Sequence, residues 1–217
     1  MRNIQDKLLS RGADTLEDVE LLAALFAEGA QDDDAVTLAH TLISECGGSL
    51  PRLMDTDLSR LRMTAGLGLR RAVQLKAAAE LGRRVAVAEA ATVDVVRSDA
   101  DVVKIMEPQL AGLKHEECWA LYLASSGKVV ERVRISQGGV QATVVDYRLI
   151  LKRALELLAV QIVLVHNHPS GSAEPSAQDK QLTERVAEGC RLFDIRLLDH
   201  VIIARGNHFS FRGHGLI

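Results

Sequence analysis

Residues 161–179, QIVLVHNHPSGSAEPSAQD, contain an apolar run that ends in His-Asn-His, followed by a turn and an aspartate. The run predicts a buried β-strand over residues 162–166. Because side chains alternate along a strand, His166 and His168 should share one face, with Cα atoms roughly 6.6 Å apart. One divalent cation with metal–nitrogen bonds of about 2 Å can join both imidazoles, and Asp179 offers a third, anionic ligand. Two histidines and one carboxylate leave a coordination position open, which is typical of a catalytic zinc site.

The same stretch has a second interpretation, which needs no metal. Ser176 and Asp179 form the pattern [ST]-x-x-[DE], a capping box at the start of a helix predicted over residues 177–190. In that case the two histidines are ordinary polar residues at the end of a strand. Their occurrence together with Asp179, at the carboxyl end of a buried strand, favours the metal site, because ligands of α/β proteins collect there.

Composition narrows the class of protein. The chain has 217 residues, an apolar fraction of 47% and a net charge of −3, which indicates a folded core and no general affinity for nucleic acid. The three cysteines, Cys46, Cys118 and Cys190, are an odd number without close pairs, so neither a disulfide framework nor a cysteine-based zinc site is expected. The N-terminus carries no signal-peptide pattern and no apolar run is long enough to span a membrane. We expect a soluble, cytoplasmic protein.

The N-terminal part, residues 1–88, is predicted to be an all-helical domain. Thr15 is the predicted N-cap of its first amphipathic helix. Further along, Gly66-x-Gly68 separates two helical segments and resembles a helix-hairpin-helix motif, whose second helix directs backbone N–H groups at an anion. In that motif the anion is a DNA phosphate, which Arg70 and Arg71 would also contact. Residues 60–84 carry seven Lys or Arg against one Glu, a net +6, which suits sequence-independent DNA binding. A plain helical hairpin or a protein-docking module remains an alternative.

The C-terminal part is predicted to be a layered α/β domain over residues 97–217, after a linker at 86–96. Strands and helices interleave in its pattern. The predicted strands are 116–124, 129–136, 162–166, 195–198 and 200–204, and the main predicted helices are 146–158 and 177–190.

The metal-binding pattern resembles a known motif. His166-x-His168, seven residues, Ser176, two residues and Asp179 are similar to the JAMM (MPN+) zinc-metalloprotease motif. The resemblance implies a three-layer α/β/α domain with a mixed sheet, similar to cytidine deaminases. It also implies bound Zn²⁺ and hydrolysis of a peptide or isopeptide amide in a protein or peptide substrate.

A longer resemblance covers nearly the whole chain. The string VHNHPSG at 165–171, with Leu-Asp-His at 198–200 and the Gly66–Gly68 turn, resembles the bacterial RadC family. The helix before the metal strand departs from that family, since Asp146-Tyr147-Arg148-Leu149 stands where His-Pro-Arg-Glu is usual. These positions are not metal ligands in the JAMM motif. The difference therefore affects the expected substrate contacts of this helix and not the expected metal site.

The resemblance also implies roles for other residues. The JAMM motif requires an upstream glutamate as general base, and Glu116 is preferred over Glu117, which should face the other side of the strand, and over Glu131. The hydroxyl of Ser176 would stabilise the oxyanion beside a zinc-held water. His200 is either a residue that orients the site or a structural histidine.

Two other function classes stay open. One is an accessory protein of DNA repair or recombination, in which the metal site is structural. The other is a metal-dependent nuclease, which is disfavoured because nucleases usually use two metals and this pattern supplies one site. The sequence predicts neither the substrate's identity nor the oligomeric state.

Overall fold

The computed structural model describes residues 4–27, 33–64, 66–91, 95–138 and 145–217. The chain divides into two compact units, Met1–Arg84 and Val85–Ile217. The described part of the first unit is helical, and the second combines helices with a mixed five-stranded sheet. The predicted fold class, an α/β domain preceded by a helical region, is confirmed. No helix in the described ranges is long and apolar enough to cross a membrane.

The N-terminal helices surround a core made mainly of leucine. Leu22, Phe26, Leu38, Leu42 and Leu75 are each at most 6% exposed and lie on the inner faces of their helices. The helices are α1 (Ile4–Arg11), α2 (Asp18–Phe26), α3 (Asp33–Glu45), α4 (Leu50–Asp55), α5 (Leu58–Leu61) and α6 (Gly68–Ala91).

Two details of this helical part differ from prediction. The N-cap of α2 is Glu17, whose capping box closes on Glu20, whereas Thr15 ends a short 3₁₀ turn and bonds to the Gly12 carbonyl. The predicted linker is also wrong in its first residues, because α6 continues to Ala91. Alanine-rich sequence without glycine or proline favours helix, so nothing in that stretch stops α6 earlier.

The sheet of the second unit has the order β2-β1-β3-β4-β5. Only β3 and β4 pair in parallel; the other neighbours are antiparallel, which makes the sheet mixed. The elements are α7 (Asp99–Leu110), β1 (Glu117–Leu123), β2 (Val129–Gln137), α8 (Tyr147–Glu156), β3 (Gln161–Asn167), α9 (Ala177–Arg191), β4 (Arg196–Ala204) and β5 (Asn207–Ser210). The two closing strands predicted at 195–204 are thus one strand, and β5 was not predicted.

Helices cover both faces of this sheet. Ile162 and Leu164 of β3 pack with α8 and α9, while Val163 and Val165 pack with α7 on the opposite face. This alternation follows from the period of two along a strand. By the same alternation the side chain of His166 leaves the strand on the face that α9 covers.

Candidate metal centre

His166, His168 and Asp179 converge at the carboxyl end of β3. His166 lies in β3, and the His168 N–H extends the pairing with β4 by donating to the Ile203 carbonyl over 2.9 Å. Asp179 lies in the first turn of α9. The turn between β3 and α9 reverses the chain, so the start of the helix returns to the histidine pair.

The spacing of the ligand atoms fits a single zinc ion. The two Nε2 atoms are 2.9 Å apart. Asp179 Oδ1 lies 3.3 Å from His166 Nε2, and Asp179 Oδ2 lies 3.6 Å from His168 Nε2. Ligands about 2 Å from a tetrahedral ion are separated by about 3.3 Å, so these distances bracket the requirement. Within the described residues, these three form the only group of His, Cys, Asp or Glu whose donor atoms converge in this way.

The ring of His168 is held in the orientation that a metal ligand needs. Its Nδ1 lies 2.8 Å from the carbonyl oxygen of Ser172. A carbonyl can only accept, so Nδ1 carries the hydrogen. The neutral ring then presents a bare Nε2 to the centre, and such a backbone contact is a usual way to fix the tautomer of a metal ligand.

The ring of His166 contacts a second histidine. His166 Nδ1 is 2.9 Å from Nε2 of His200, and His200 Nδ1 is 2.6 Å from the hydroxyl of Thr183. His200 is completely buried and stacks on Phe211, with ring centroids 4.8 Å apart. His200 therefore packs as a structural histidine does and also contacts a candidate ligand, so both interpretations of His200 are compatible with the structure.

Electrostatics distinguishes the three candidate ligands. Burial, opposed by the charge of Asp179 and assisted by the neighbouring His168, lowers the pKa of His166 to about 4. Asp179 raises the pKa of His168, because it accepts a hydrogen bond from Nε2 when the ring is protonated. Burial alone would raise the pKa of Asp179, but the two histidines and the Ser176 hydrogen bonds lower it well below its usual value. Asp179 is therefore an anion at neutral pH and His166 is neutral, as metal coordination requires.

The two adjacent glutamates have different surroundings. Glu117 is 5% exposed, and its carboxylate accepts hydrogen bonds from Trp119 Nε1 over 2.9 Å and from Arg134 over 3.1 Å. Trp119 belongs to the α7 face of β1, opposite to His166. Both glutamates line the cavity beside the candidate ligands, but the charge that contributes to the raised pKa of His168 is that of Glu116, which precedes β1. This arrangement leaves Glu116 as the candidate base.

Glu131 and Arg148 lie outside the centre, whereas Tyr147, the first residue of α8, lines the cavity beside it. Glu131 forms an ion pair with Arg153 of α8 at 2.7 Å. Arg148 pairs with Asp146 at the N-terminus of α8 over 2.7 Å. Neither Glu131 nor Arg148 lines the cavity around the histidines.

Ser176 caps α9 and holds Asp179. Its Oγ accepts from the Asp179 N–H over 3.2 Å and donates to Asp179 Oδ2 over 2.6 Å, while its own N–H reaches the same oxygen over 2.7 Å. The capping box and the metal ligand are thus one arrangement. The two interpretations of the sequence pattern are compatible, because the cap orients the carboxylate.

A cavity of about 590 Å³ opens beside these residues. One wall is a face of α9 with Gln178, Gln181, Leu182 and Arg185, at the three- and four-residue spacing of one helix side. Its size is within the usual range for ligand sites.

Cys118, Asn167 and Thr183 also belong to the centre and were not predicted. Cys118 lies opposite His166 in the register of β1 and β3, hence on the same face, and burial raises the pKa of its thiol to about 12. The Asn167 side chain bonds to the backbone beside Glu116. Thr183 follows Asp179 by one helical turn, and that spacing could have identified it.

In the helical part, the candidate DNA-binding residues lie at the turn before α6 and in the first turn of that helix. Gly66 and Gly68 have φ of +83° and +66°, conformations that favour glycine, and no atom lies within 4 Å of where a Cβ of Gly68 would be. Arg71 donates to the carbonyls of Phe26 and Gly66. Arg71 therefore ties α6 to the rest of this unit, and Arg70 is exposed.

Comparisons with known proteins agree over the whole chain. Residues 96–216 match the family described as RadC-like JAB domain, and residues 4–73 match the one described as UPF0758 N-terminal. A UPF0758 protein of Porphyromonas gingivalis is 40% identical over 215 residues, covering 98% of this chain and 95% of the relative. One from Flavobacterium johnsoniae is 36% identical over 212 residues, covering 98% and 92%. The chain therefore belongs to the RadC-like JAB domain family.

Proposed function

We propose that this protein is a zinc-dependent hydrolase that cleaves a peptide or isopeptide amide bond at the centre formed by His166, His168 and Asp179. The observation that carries the proposal is the convergence of two imidazole nitrogens and one carboxylate beside a cavity that Glu116 also lines. Three protein ligands leave one coordination position for water or substrate.

Each residue then has a distinct task. Zinc bound by these three ligands would polarise the scissile carbonyl and lower the pKa of a water toward about 7. Glu116 would accept a proton from the attacking water at its carboxylate and deliver it to the leaving amine. The burial of His166 keeps its ring neutral, and the Ser176 hydroxyl holds Asp179 in position.

The role of Ser176 as an oxyanion donor imposes a condition. Its hydroxyl hydrogen points at Asp179 Oδ2, and a hydroxyl has one hydrogen. To stabilise an oxyanion, the Oγ–H must turn from the carboxylate toward the substrate. The Ser176 N–H continues to hold Asp179 Oδ2 after that rotation, so the ligand stays in place.

The cavity supports a peptide substrate. The amides of Gln178 and Gln181 and the guanidinium of Arg185 project from one face of α9, and Glu174 lies at the rim. Amide donors and acceptors at this spacing suit the polar backbone of an extended peptide. Among the described residues, only one group of candidate ligands converges, which suits one metal ion. Nucleases usually use two metal ions, so a single site favours amide hydrolysis.

Metal analysis tests the proposal directly. The wild type should retain about one zinc per chain after dialysis, and the double variant H166A/H168A should retain none. The matched control is H40A/H208A, which removes two exposed histidines elsewhere. Zinc retained by H166A/H168A would refute the site. A Glu116→Gln variant should bind zinc as the wild type does and fail to cleave; cleavage at an unchanged rate would refute its role as base.

A second candidate, DNA association by the helical part, rests on one observation. The open space around Gly68, at positive φ before a 24-residue helix, lets a phosphate approach the backbone. The positive net charge of residues 60–84 supports DNA binding less strongly than the sequence suggested, because several of these cations have partners in the protein. Arg71 and Lys76 donate to backbone carbonyls, and Arg83 and Arg84 pair with Glu80.

A further inference from the structure

A chain of hydrogen bonds joins two of the candidate ligands through Thr183 and His200, neither of which is itself a candidate ligand. The Thr183 hydroxyl lies 2.6 Å from the backbone carbonyl of Asp179 and 2.6 Å from Nδ1 of His200. Nε2 of His200 lies 2.9 Å from Nδ1 of His166. Thr183 is 3% exposed and His200 is 0% exposed, so water does not compete for these bonds.

The hydrogens in this chain can point in only two ways, because each neutral imidazole and each hydroxyl has one to donate. In the first, Thr183 donates to the Asp179 carbonyl, His200 Nδ1 donates to Thr183, and His166 Nδ1 donates to His200. In the second, every donor is reversed, and His166 carries its hydrogen on Nε2. Only the first leaves His166 Nε2 bare to bind a metal.

The Asp179 carbonyl distinguishes the two directions. A carbonyl oxygen only accepts, and at 2.6 Å its partner hydroxyl is well placed to donate. The reversed chain would turn the Thr183 hydrogen away from this contact. It would also let His166 Nε2 donate to His168 Nε2 over 2.9 Å, and that hydrogen would occupy the space between His168 and Asp179, where the metal would bind.

We propose that Thr183 and His200 fix the tautomer of His166, so that the Thr183 hydroxyl controls metal affinity without contacting any ligand atom. The inference rests on the proposed function for the identity of the metal. It makes Thr183 and His200 positioning residues, comparable to the Ser172 carbonyl that fixes His168 directly. We call this chain of hydrogen bonds, from the Asp179 carbonyl through Thr183 and His200 to His166, the relay. Through it, one candidate ligand orients another.

NMR spectra of the metal-free protein with ¹⁵N-labelled histidine rings show directly which ring nitrogen of His166 carries the hydrogen. Two-bond hydrogen–nitrogen spectra at neutral pH should show His166 with a protonated Nδ1 and an unprotonated Nε2. A wild-type spectrum in which His166 is mainly protonated at Nε2 would overturn the proposal. This measurement needs neither zinc nor a variant, so it decides the relay even if the wild type binds no zinc and the proposed function fails.

The variant arm compares Thr183→Val with Thr183→Ser. The valine keeps the shape and removes the hydroxyl; we expect more His166 protonated at Nε2 and zinc affinity lower by about 10- to 100-fold, measured by competition with a chromophoric chelator. The serine restores the hydroxyl and should restore both readings. Unchanged zinc affinity and unchanged tautomer in Thr183→Val would overturn the relay.

The control for helix effects is Thr37→Val. The Thr37 hydroxyl makes the same bond to the carbonyl four residues earlier, Asp33 O, over 3.1 Å, and it lies in α3, outside the unit that contains the candidate centre. We expect Thr37→Val to leave zinc affinity and the His166 spectrum unchanged. If Thr37→Val lowered zinc affinity as much as Thr183→Val, a general loss of stability would explain both and the relay would be refuted.

Discussion

The side-chain oxygen of Asn167 accepts a hydrogen bond from the backbone N–H of Glu117 over 2.8 Å. The amide nitrogen of the same side chain donates to the carbonyl of His115 over 2.9 Å. These two bonds flank Glu116, just beyond Cys118 and His166, the last backbone pair of β1 and β3. The residue between the two histidines of the motif therefore anchors the segment that carries the candidate base.

Replacement of Asn167 by alanine should destabilise the protein and detach this segment. Asn167 is 2% exposed, and the change removes the partner of the buried Glu117 N–H and of the partly buried His115 carbonyl. We expect a loss of about 1–3 kcal/mol in the free energy of unfolding, measured in urea. Zinc affinity should be retained, since neither bond involves a ligand, and cleavage should fall because Glu116 loses its fixed position.

The comparison variant is Asn207→Ala. Asn207 also accepts a backbone N–H bond, from His208 over 2.8 Å, but at an exposed turn. Its replacement should cost little, on the order of 0.5 kcal/mol or less. Equal costs for the two variants would contradict the anchoring role of Asn167.

Glu117 should make the protein sensitive to acid. Burial would raise its pKa, but hydrogen bonds from Trp119, His115 and Arg134 lower it below the usual value of 4.5. A carboxyl with a lowered pKa stabilises the folded state fully above its unfolded pKa, and this contribution is lost as the pH falls through the folded value. Glu117→Gln should therefore cost about 1–3 kcal/mol at neutral pH and progressively less below about pH 4.5.

Urea unfolding across a pH series measures this difference. The matched variant is Glu184→Gln, which changes an exposed glutamate of α9. Its stability curve should run parallel to that of the wild type, whereas the Glu117→Gln curve should converge with it in acid. A constant offset for Glu117→Gln at every pH would show that the carboxylate's charge is not what stabilises the fold.

Ser98 provides a test of whether Ser176 is more than a cap. Both serines begin helices with the same capping box, Ser98 with Asp101 and Ser176 with Asp179. Ser98→Ala and Ser176→Ala should each cost about 1 kcal/mol in the free energy of unfolding. If Ser176 also donates to an oxyanion, only Ser176→Ala should reduce cleavage, by about 10²–10³-fold. Equal activity in the two variants would limit Ser176 to capping and to holding Asp179.

Local patterns predicted the parts of the structure that local chemistry decides. The apolar run at residues 162–166 predicted the strand that carries His166, and the predicted capping box of Ser176 and Asp179 occurs as expected. The cap of α2 was wrong because two overlapping patterns compete there, and the box that closes is Glu17 with Glu20. Local sequence alone does not show which of two such patterns tertiary packing selects.

The parts that were missed depend on contacts between distant residues. Asn167 bonds to His115 across 52 positions of sequence, and His200 contacts His166 across 34. Neither pairing leaves a periodic signal in the chain. The strand β5 was missed because its four residues are too short to show alternation, and its pairing with β4 defines it.

DNA association can be tested with two arginines of the same helix. Arg70 lies in the first turn of α6 beside the Gly66–Gly68 turn, whereas Arg84 lies four turns later and pairs with Glu80 over 2.8 Å. If the turn binds phosphate, Arg70→Ala should weaken DNA binding and reduce the slope of log affinity against log salt by about 0.9, the contribution of one phosphate contact. Arg84→Ala should leave the slope unchanged.

Arg71 is unsuitable for this test because its guanidinium bonds to the Phe26 carbonyl, so its loss would disturb the fold itself. Identical slopes for the Arg70 variant, the Arg84 variant and the wild type would exclude the Gly66–Gly68 turn as the DNA contact.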